Sequence, residues 1–549
     1  MKRNRFRRLA LASLAVVMPA AMLTACGPLP AGFQQQVVAK GFNLPTTWVS
    51  PNASTQYVAE KSGVIRVATN GTVRSSPLVD LRGRVNDIGD RGLIGMTLDP
   101  SFAANGLLYL AYTYQDPTLP VDGWRQTQRV TRIVVDRVTH TADPATEQVV
   151  LGKVTGAACY DRWETPDCLP SSMNVHTVGD LAFDPAGALW VSVGEGAAFP
   201  YTEAAVSYRA QNVNVLAGKI LRIDPRTGLG VAGNPFFEVA NPTSNRSRVY
   251  AYGFRNPFRF SFRPGSGVPY VGDVGWRTTE EINAVRPGGN YGWPCYEGAF
   301  KQPSFAGEAV CQPMYRAATP VIGPAASYQH SDQGTSVTGG VFYSGTSNYP
   351  ADYVGNYIYG DYNAFVRRQK FTSADVTAGS AINFVTKAAA GAPVKFAIGP
   401  DGNLWYLSIF PGELRRLVYN GGDATTPTTT SPTQPGSAPS VAVTSPENRV
   451  RVADRSAVTF TATADDAEDG ALPPSAVTID VTYLHYSSGT SHQHPYQTTS
   501  GTSGSFVASA AHGPGHYRIT ARATDSDGRT TTSPPVNVCL VGYNYGACA

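Results

Sequence analysis

The chain has 549 residues, with 44 Lys and Arg against 40 Asp and Glu and eight His. Five of the basic residues and none of the acids fall in positions 1–26, so the rest carries a net charge of −1. No basic field remains to gather nucleic acid, which excludes that partner class, and the length implies more than one domain.

The N-terminus opens MKRNRFRR and continues into an apolar run over 9–23. That run is too short for a stable span and fits the apolar region of an export signal. Leu23-Thr24-Ala25-Cys26 has the form of a lipobox, so residues 1–26 are expected to be a lipoprotein signal with lipid on Cys26. The alternatives are an ordinary secretion signal with a chance Cys, or twin-arginine export marked by Arg7-Arg8. No second apolar stretch is long enough to cross a bilayer. The protein is therefore expected outside the cytoplasm, in the periplasm or at the cell surface, with lipid as its one membrane attachment.

Residues 34–420 repeat one pattern: an apolar run, a turn at Pro or Gly, then a second apolar-aromatic run. MTLDPSFAANGLLYLAYT, LAFDPAGALWVSVGEG, FSFRPGSGVPYVGDVG and FAIGPDGNLWYLSI are examples. Turns at Asp99-Pro100, 185–187, 264–267 and 400–402 suit hairpins, and the β-branched and aromatic flanks read as strands. Such repeats fit a β-propeller, in which radial closure protects the sheet edges. A stack of β-sandwiches is the other architecture the pattern allows. Besides Cys26, six Cys fall in three close pairs, Cys159 and Cys168, Cys295 and Cys311, Cys539 and Cys548. An even count, local pairing and an export signal predict three disulfides. Metal binding by these Cys would need Cys-x-x-Cys spacing and nearby His, which they lack.

The stretch 249–298 reads VYAYGFRNPFRFSFRPGSGVPYVGDVGWRTTEEINAVRPGGNYGWPCYEG. It resembles the glucose/sorbosone dehydrogenase family, whose members are six-bladed β-propellers. Several of them oxidise sugars with pyrroloquinoline quinone (PQQ) and calcium. The resemblance implies roles for particular residues. His176 takes the proton of the sugar's anomeric hydroxyl while hydride moves to the quinone. Arg255 and Asn256 contact the quinone, with Arg255 offsetting growing negative charge. The carbonyls of Gly275 and Trp276 hold calcium, an ion that prefers oxygen. Glu280 and Glu281 are either calcium ligands, carboxylates behind the ligands, or a solvated acidic turn. Asp90 and Arg91 lie where polar side chains meet the sugar and cofactor. Glu195 holds a place usually given to Asp and either orients His176 or is an ordinary acid at a strand end.

The chain departs from that family at three positions. Asn363, Ala392 and Val394 stand where the best-studied members carry Lys and Arg against the three carboxylates of PQQ. Arg367, Arg368, Lys370 and Lys395 are the nearby substitutes. Burying carboxylates without partners costs several kcal/mol. The alternative to sugar oxidation is therefore a propeller without cofactor that binds a surface polysaccharide or a protein. For the enzyme, the partners are a small sugar and an electron acceptor the sequence does not identify.

Residues 421–438 are rich in Thr, Pro, Gly and Ser and read as a linker. Residues 439–549 show short alternating strands with Asp/Gly turns, and read as an immunoglobulin-like β-sandwich of the PKD type with a disulfide tail. The acidic run Asp465, Asp466, Glu468, Asp469 is either a solvated turn or a calcium site. His485, His492, His494, His512 and His516 make this the His-rich unit, where period-two spacing places His492 and His494 on one strand face. Metal binding, carbohydrate contact and plain surface exposure all remain open for them.

Overall fold

The computed structural model describes residues 29–549 except 122, 124, 198–203, 319, 331–333, 345–347, 363, 422–437, 467–468, 488–489, 510–514, 526–529, 543–547 and 549. Cys26, Asn363, Glu468, His512 and most of the linker lie outside the described residues, as do the side chains of His485, His492 and His494. The described chain is all-β, and its helices are single turns.

Between residues 33 and 419, six antiparallel sheets each have four or more strands. Their inner strands are Pro45–Val49, Leu93–Leu98, Val178–Phe183, Pro257–Phe262, Val337–Phe342 and Pro393–Ile398. Each inner strand touches the next, and the last touches the first, so the sheets close into a ring. Strand Phe33–Lys40 closes it, pairing with Glu413–Tyr419 as the outer strand of the final sheet. This arrangement is a β-propeller, and its closure covers edges that would otherwise offer unpaired N–H and C=O groups. The turns at Asp99-Pro100, 185–187, 264–267 and 400–402 each join an inner strand to the second strand of its own sheet.

Apolar side chains fill the space between neighbouring sheets. Tyr57, Ile65, Leu93 and Leu110 pack between the first and second sheets, and Leu181, Val191 and Leu221 belong to the next layer. The shaft of the ring is closed by charge rather than by apolar groups. Arg259 donates to the carbonyls of Thr46, Ile94, Gly179 and Val394, at 2.7 to 3.1 Å, on four of the six inner strands. Lys395 pairs with buried Asp180 at 2.6 Å.

Residues 440–540 form two further sheets packed face to face. Strand Ser456–Asp466 alternates buried and exposed residues along its length, as a half-buried antiparallel strand should. All three expected disulfides are formed, with Cα–Cα distances of 5.2, 5.2 and 5.7 Å. Among the described residues no helix is long and apolar enough to cross a membrane.

Candidate active site

One face of the ring collects the chemistry. Inner strands begin there and second strands end there, so the short loops of every sheet converge on it. Asp90 and Arg91 precede Leu93–Leu98, His176 precedes Val178–Phe183, and Arg255 with Asn256 precedes Pro257–Phe262. Lys61 follows strand Thr55–Glu60, Glu195 follows Leu189–Val193, and Tyr362 follows Tyr357–Asp361.

His176 is held in one pose. Its Nδ1 lies 2.6 Å from Oε1 of Glu195, which is fully buried and also accepts from the Ala197 N–H. A carboxylate accepts only, so Nδ1 carries the hydrogen and Nε2 is the basic nitrogen. The backbone at His176 has φ of 50°, a left-handed conformation that costs energy in a non-Gly residue. The surroundings enforce it. A Cβ on Gly194 would stand 2.3 Å from the His176 carbonyl, so the bare glycine lets the two loops meet. Burial, then the charge of Arg255, lower the His176 pKa, which keeps the imidazole neutral near pH 7.

Arg255 is buried and donates through Nη1 to the carbonyls of Val274 (2.9 Å) and Gly275 (2.6 Å). Asp273 fixes the approach from behind, accepting from the N–H groups of Arg255 and Asn256 at 3.1 and 2.7 Å. The Glu195 N–H donates to the Arg255 carbonyl at 2.8 Å, so the imidazole and guanidinium loops are tied directly. Glu297 orders the remaining loop: its Oε1 accepts from the N–H groups of Trp276, Arg277, Thr278 and Thr279 at 2.8 to 3.0 Å.

Asp90 keeps solvent contact on this face of the ring, yet protein atoms crowd it, and that crowding raises its pKa against the pull of His176, Lys61 and Arg255. Lys61 is a second cation turned inward. It donates to the Asp87 carbonyl, and burial lowers its pKa to about 8. Nothing in the turn Glu60-Lys61-Ser62-Gly63 distinguishes it from a surface hairpin, so sequence reasoning missed it.

Three expected site residues are engaged elsewhere. Arg91 is fully buried and donates to the carbonyls of Gly123, Ser171 and Met173 and to the Ser171 hydroxyl, bracing the segment that leads to His176. Glu280 is held by His330 Nε2 at 2.5 Å and by the Val337 N–H at 2.7 Å. Glu281 accepts from Gly298 N–H and from Asn283 Nδ2, and burial raises its pKa to about 7.

The glucose/sorbosone dehydrogenase family model matches residues 46–409, about two thirds of the chain. The chain belongs to that family. Among the relatives of this glucose/sorbosone dehydrogenase family member, the HIPL1 protein of Arabidopsis thaliana is 29% identical over 324 residues, which are 52% of this chain and 45% of that protein. The aldose sugar dehydrogenase YliI of Escherichia coli is 28% identical over 277 residues, 48% of this chain and 64% of that one. The chain thus spans less than two thirds of the length of either relative. In fold, it is similar to the PQQ-bound aldose sugar dehydrogenase of Streptomyces coelicolor, with a TM-score of 0.52 at 21% identity over 71% of this chain and 99% of that one.

The family resemblance implies two groups for this donor set, PQQ and calcium. For PQQ, a polyanion, the cations on this face are Arg255 and Lys61, both buried and both donating to backbone carbonyls. Ala392 and Val394 add none, being buried and apolar. For calcium, the expected main-chain oxygens are the carbonyls of Gly275 and Trp276. The Gly275 carbonyl is already held by a guanidinium, Glu280 is held by His330, and no group of three or more His, Cys, Asp or Glu able to hold a metal exists among the described residues.

Proposed function

We propose that this protein oxidises an aldose sugar, with PQQ as the hydride acceptor in the cleft between His176 and Arg255. The observation that carries this reading is the His176–Glu195 pair, a neutral imidazole locked by a buried carboxylate beside a buried guanidinium. PQQ, when bound, would supply an electrophilic centre for the hydride of the sugar's anomeric carbon. Every other part of the reaction belongs to the chain. Nε2 of His176 removes the proton of the anomeric hydroxyl, so loss of that proton and of the hydride leaves a lactone. Glu195 holds Nδ1–H and stabilises the imidazolium that results. Arg255 faces the negative charge that grows opposite it, in a site where little water screens it. Arg255 and Lys61 together meet the anionic oxygens of the cofactor. The two electrons pass on to an acceptor outside this chain.

The disulfides support an oxidising compartment, and lipid on Cys26 would hold the protein at the membrane there. A second reading, a propeller that binds carbohydrate or protein without cofactor, is favoured by the apolar character of Ala392 and Val394. Titration calorimetry with PQQ on the whole protein, followed by dye reduction with glucose, separates the two. Sugar oxidation requires PQQ binding, aldose-dependent dye reduction, and loss of that activity in His176→Ala. Absence of PQQ binding would leave the binding reading.

A further inference from the structure

Two chains of contact lead from the cleft to the C-terminal sandwich. In the first, Lys61 donates to the Asp87 carbonyl, and the Asp87 carboxylate lies 3.4 Å from the Arg455 guanidinium. Arg455 sits at the turn before strand Ser456–Asp466, where its N–H donates to the Ala508 carbonyl and fixes it to the body of the sandwich. In the second, the Tyr362 ring lies 6.4 Å from the Phe410 ring, and Phe410 lies 5.2 Å from Tyr496. Tyr496 is equally fixed: its hydroxyl donates to the Val507 carbonyl at 2.5 Å, and its ring packs 4.8 Å from Tyr517.

Asp87 lies three residues before Asp90, and Tyr362 follows strand Tyr357–Asp361 on the same face of the ring. Asp87 lies in the loop before strand Leu93–Leu98 and Phe410 in the turn between strands Leu404–Ser408 and Glu413–Tyr419, so the sandwich bridges two parts of the rim rather than leaning on one. Phe410 is 2% exposed, an apolar ring fully covered at a rim that otherwise faces the cleft mouth.

We propose that the sandwich is a wall of the cleft, seated on the rim through Arg455 and Tyr496, and that this wall limits the size of the aldose that reaches His176. The proposal rests on the sugar-oxidising reading. A longer saccharide must carry its further rings out past the rim, where the sandwich stands. Arg455 and Tyr496 act through the wall's position and touch no reacting atom. The charge of Arg455 is also felt at Lys61, lowering that amine's pKa, as its nearness requires.

The ion pair is the weaker of the two seats, because the Arg455 side chain is 61% exposed and screened by water. The test therefore uses the full chain with Arg455→Glu alone and with Arg455→Glu joined to Tyr496→Ala. The readout is kcat/KM for maltotetraose relative to glucose. The double variant should raise that ratio about tenfold, chiefly by improving the tetrasaccharide. Restoring the pair with opposite sign, Asp87→Arg with Arg455→Glu, should return it toward the wild-type value. A ratio unchanged in every variant overturns the wall while leaving sugar oxidation standing. If the wild type oxidises no aldose, the functional reading fails, and amide hydrogen exchange around Asp87 and Phe410 decides the seat alone. Faster exchange there in the double variant supports the seat, and unchanged exchange overturns it.

Discussion

Oε1 of Glu195 stands 2.6 Å from Nδ1 of His176, and both side chains are closed off from bulk water. The carboxylate therefore selects the tautomer and opposes the two effects that lower the imidazole's pKa, burial and Arg255. In Glu195→Gln the amide oxygen still accepts from Nδ1–H, but the charge that steadies the imidazolium is gone. Turnover should fall on the order of 10²–10⁴-fold. The acid limb of the kcat/KM profile should move to lower pH, because a cause that raises the His176 pKa has been removed. A pH-rate profile of the variant checks both, and a limb shifted to higher pH would contradict the assignment.

Arg259 is the keystone of the shaft. Its guanidinium gathers carbonyls from inner strands as far apart as Thr46 and Val394. Arg259→Met keeps the length of the side chain and removes every donor, leaving buried carbonyls unpaired. Thermal or denaturant unfolding should show a loss of about 3–5 kcal/mol. A loss within that of an exposed Arg, say Arg125→Met, would mean that water replaces the guanidinium in the shaft.

The propeller was legible because its signal is local. A Pro or Gly turn between two β-branched runs predicts a hairpin, and the hairpins found at 185–187 and 400–402 lie where that pattern puts them. The ring closure was not legible, since Phe33 pairs with Tyr419 across nearly the whole propeller and neither strand carries a mark of its partner. The site divides the same way. His176, Glu195 and Arg255 stand in loops whose flanking residues are distinctive. Lys61 and Glu297 act through backbone groups, a carbonyl in one case and four N–H groups in the other, and backbone leaves no trace in side-chain identity. The same holds for the calcium expectation, which rests on main-chain carbonyls, and sequence gives no sign that the Gly275 carbonyl accepts from Arg255.

Glu281 makes stability depend on pH with a definite sign. Burial raises its pKa from 4.5 to about 7, and Asp273, directly opposite on the neighbouring strand, is raised as well. Between those values the folded state holds a proton that the unfolded chain has lost. The stability from this group is therefore fully present below about pH 4.5 and is lost as pH rises through 7. The wild-type melting temperature should fall from pH 5 to pH 8, and Glu281→Gln should fall less over the same range. Equal slopes in the two proteins would show that the pair does not hold the proton.

Gly194 tests how finely the imidazole is placed. A methyl group there meets the His176 carbonyl at 2.3 Å and its Cα at 3.0 Å, which are backbone atoms that cannot rotate aside. Gly194→Ala must therefore push the His176 loop away from Glu195, or strain the pair in place. A displacement near 1 Å in a catalytic group costs roughly 10²-fold in rate. The variant should lose turnover by about that factor while still binding PQQ in calorimetry, since Arg255 and Lys61 are not displaced by it. Full turnover in Gly194→Ala would show that the contact between these two loops is not what aims His176.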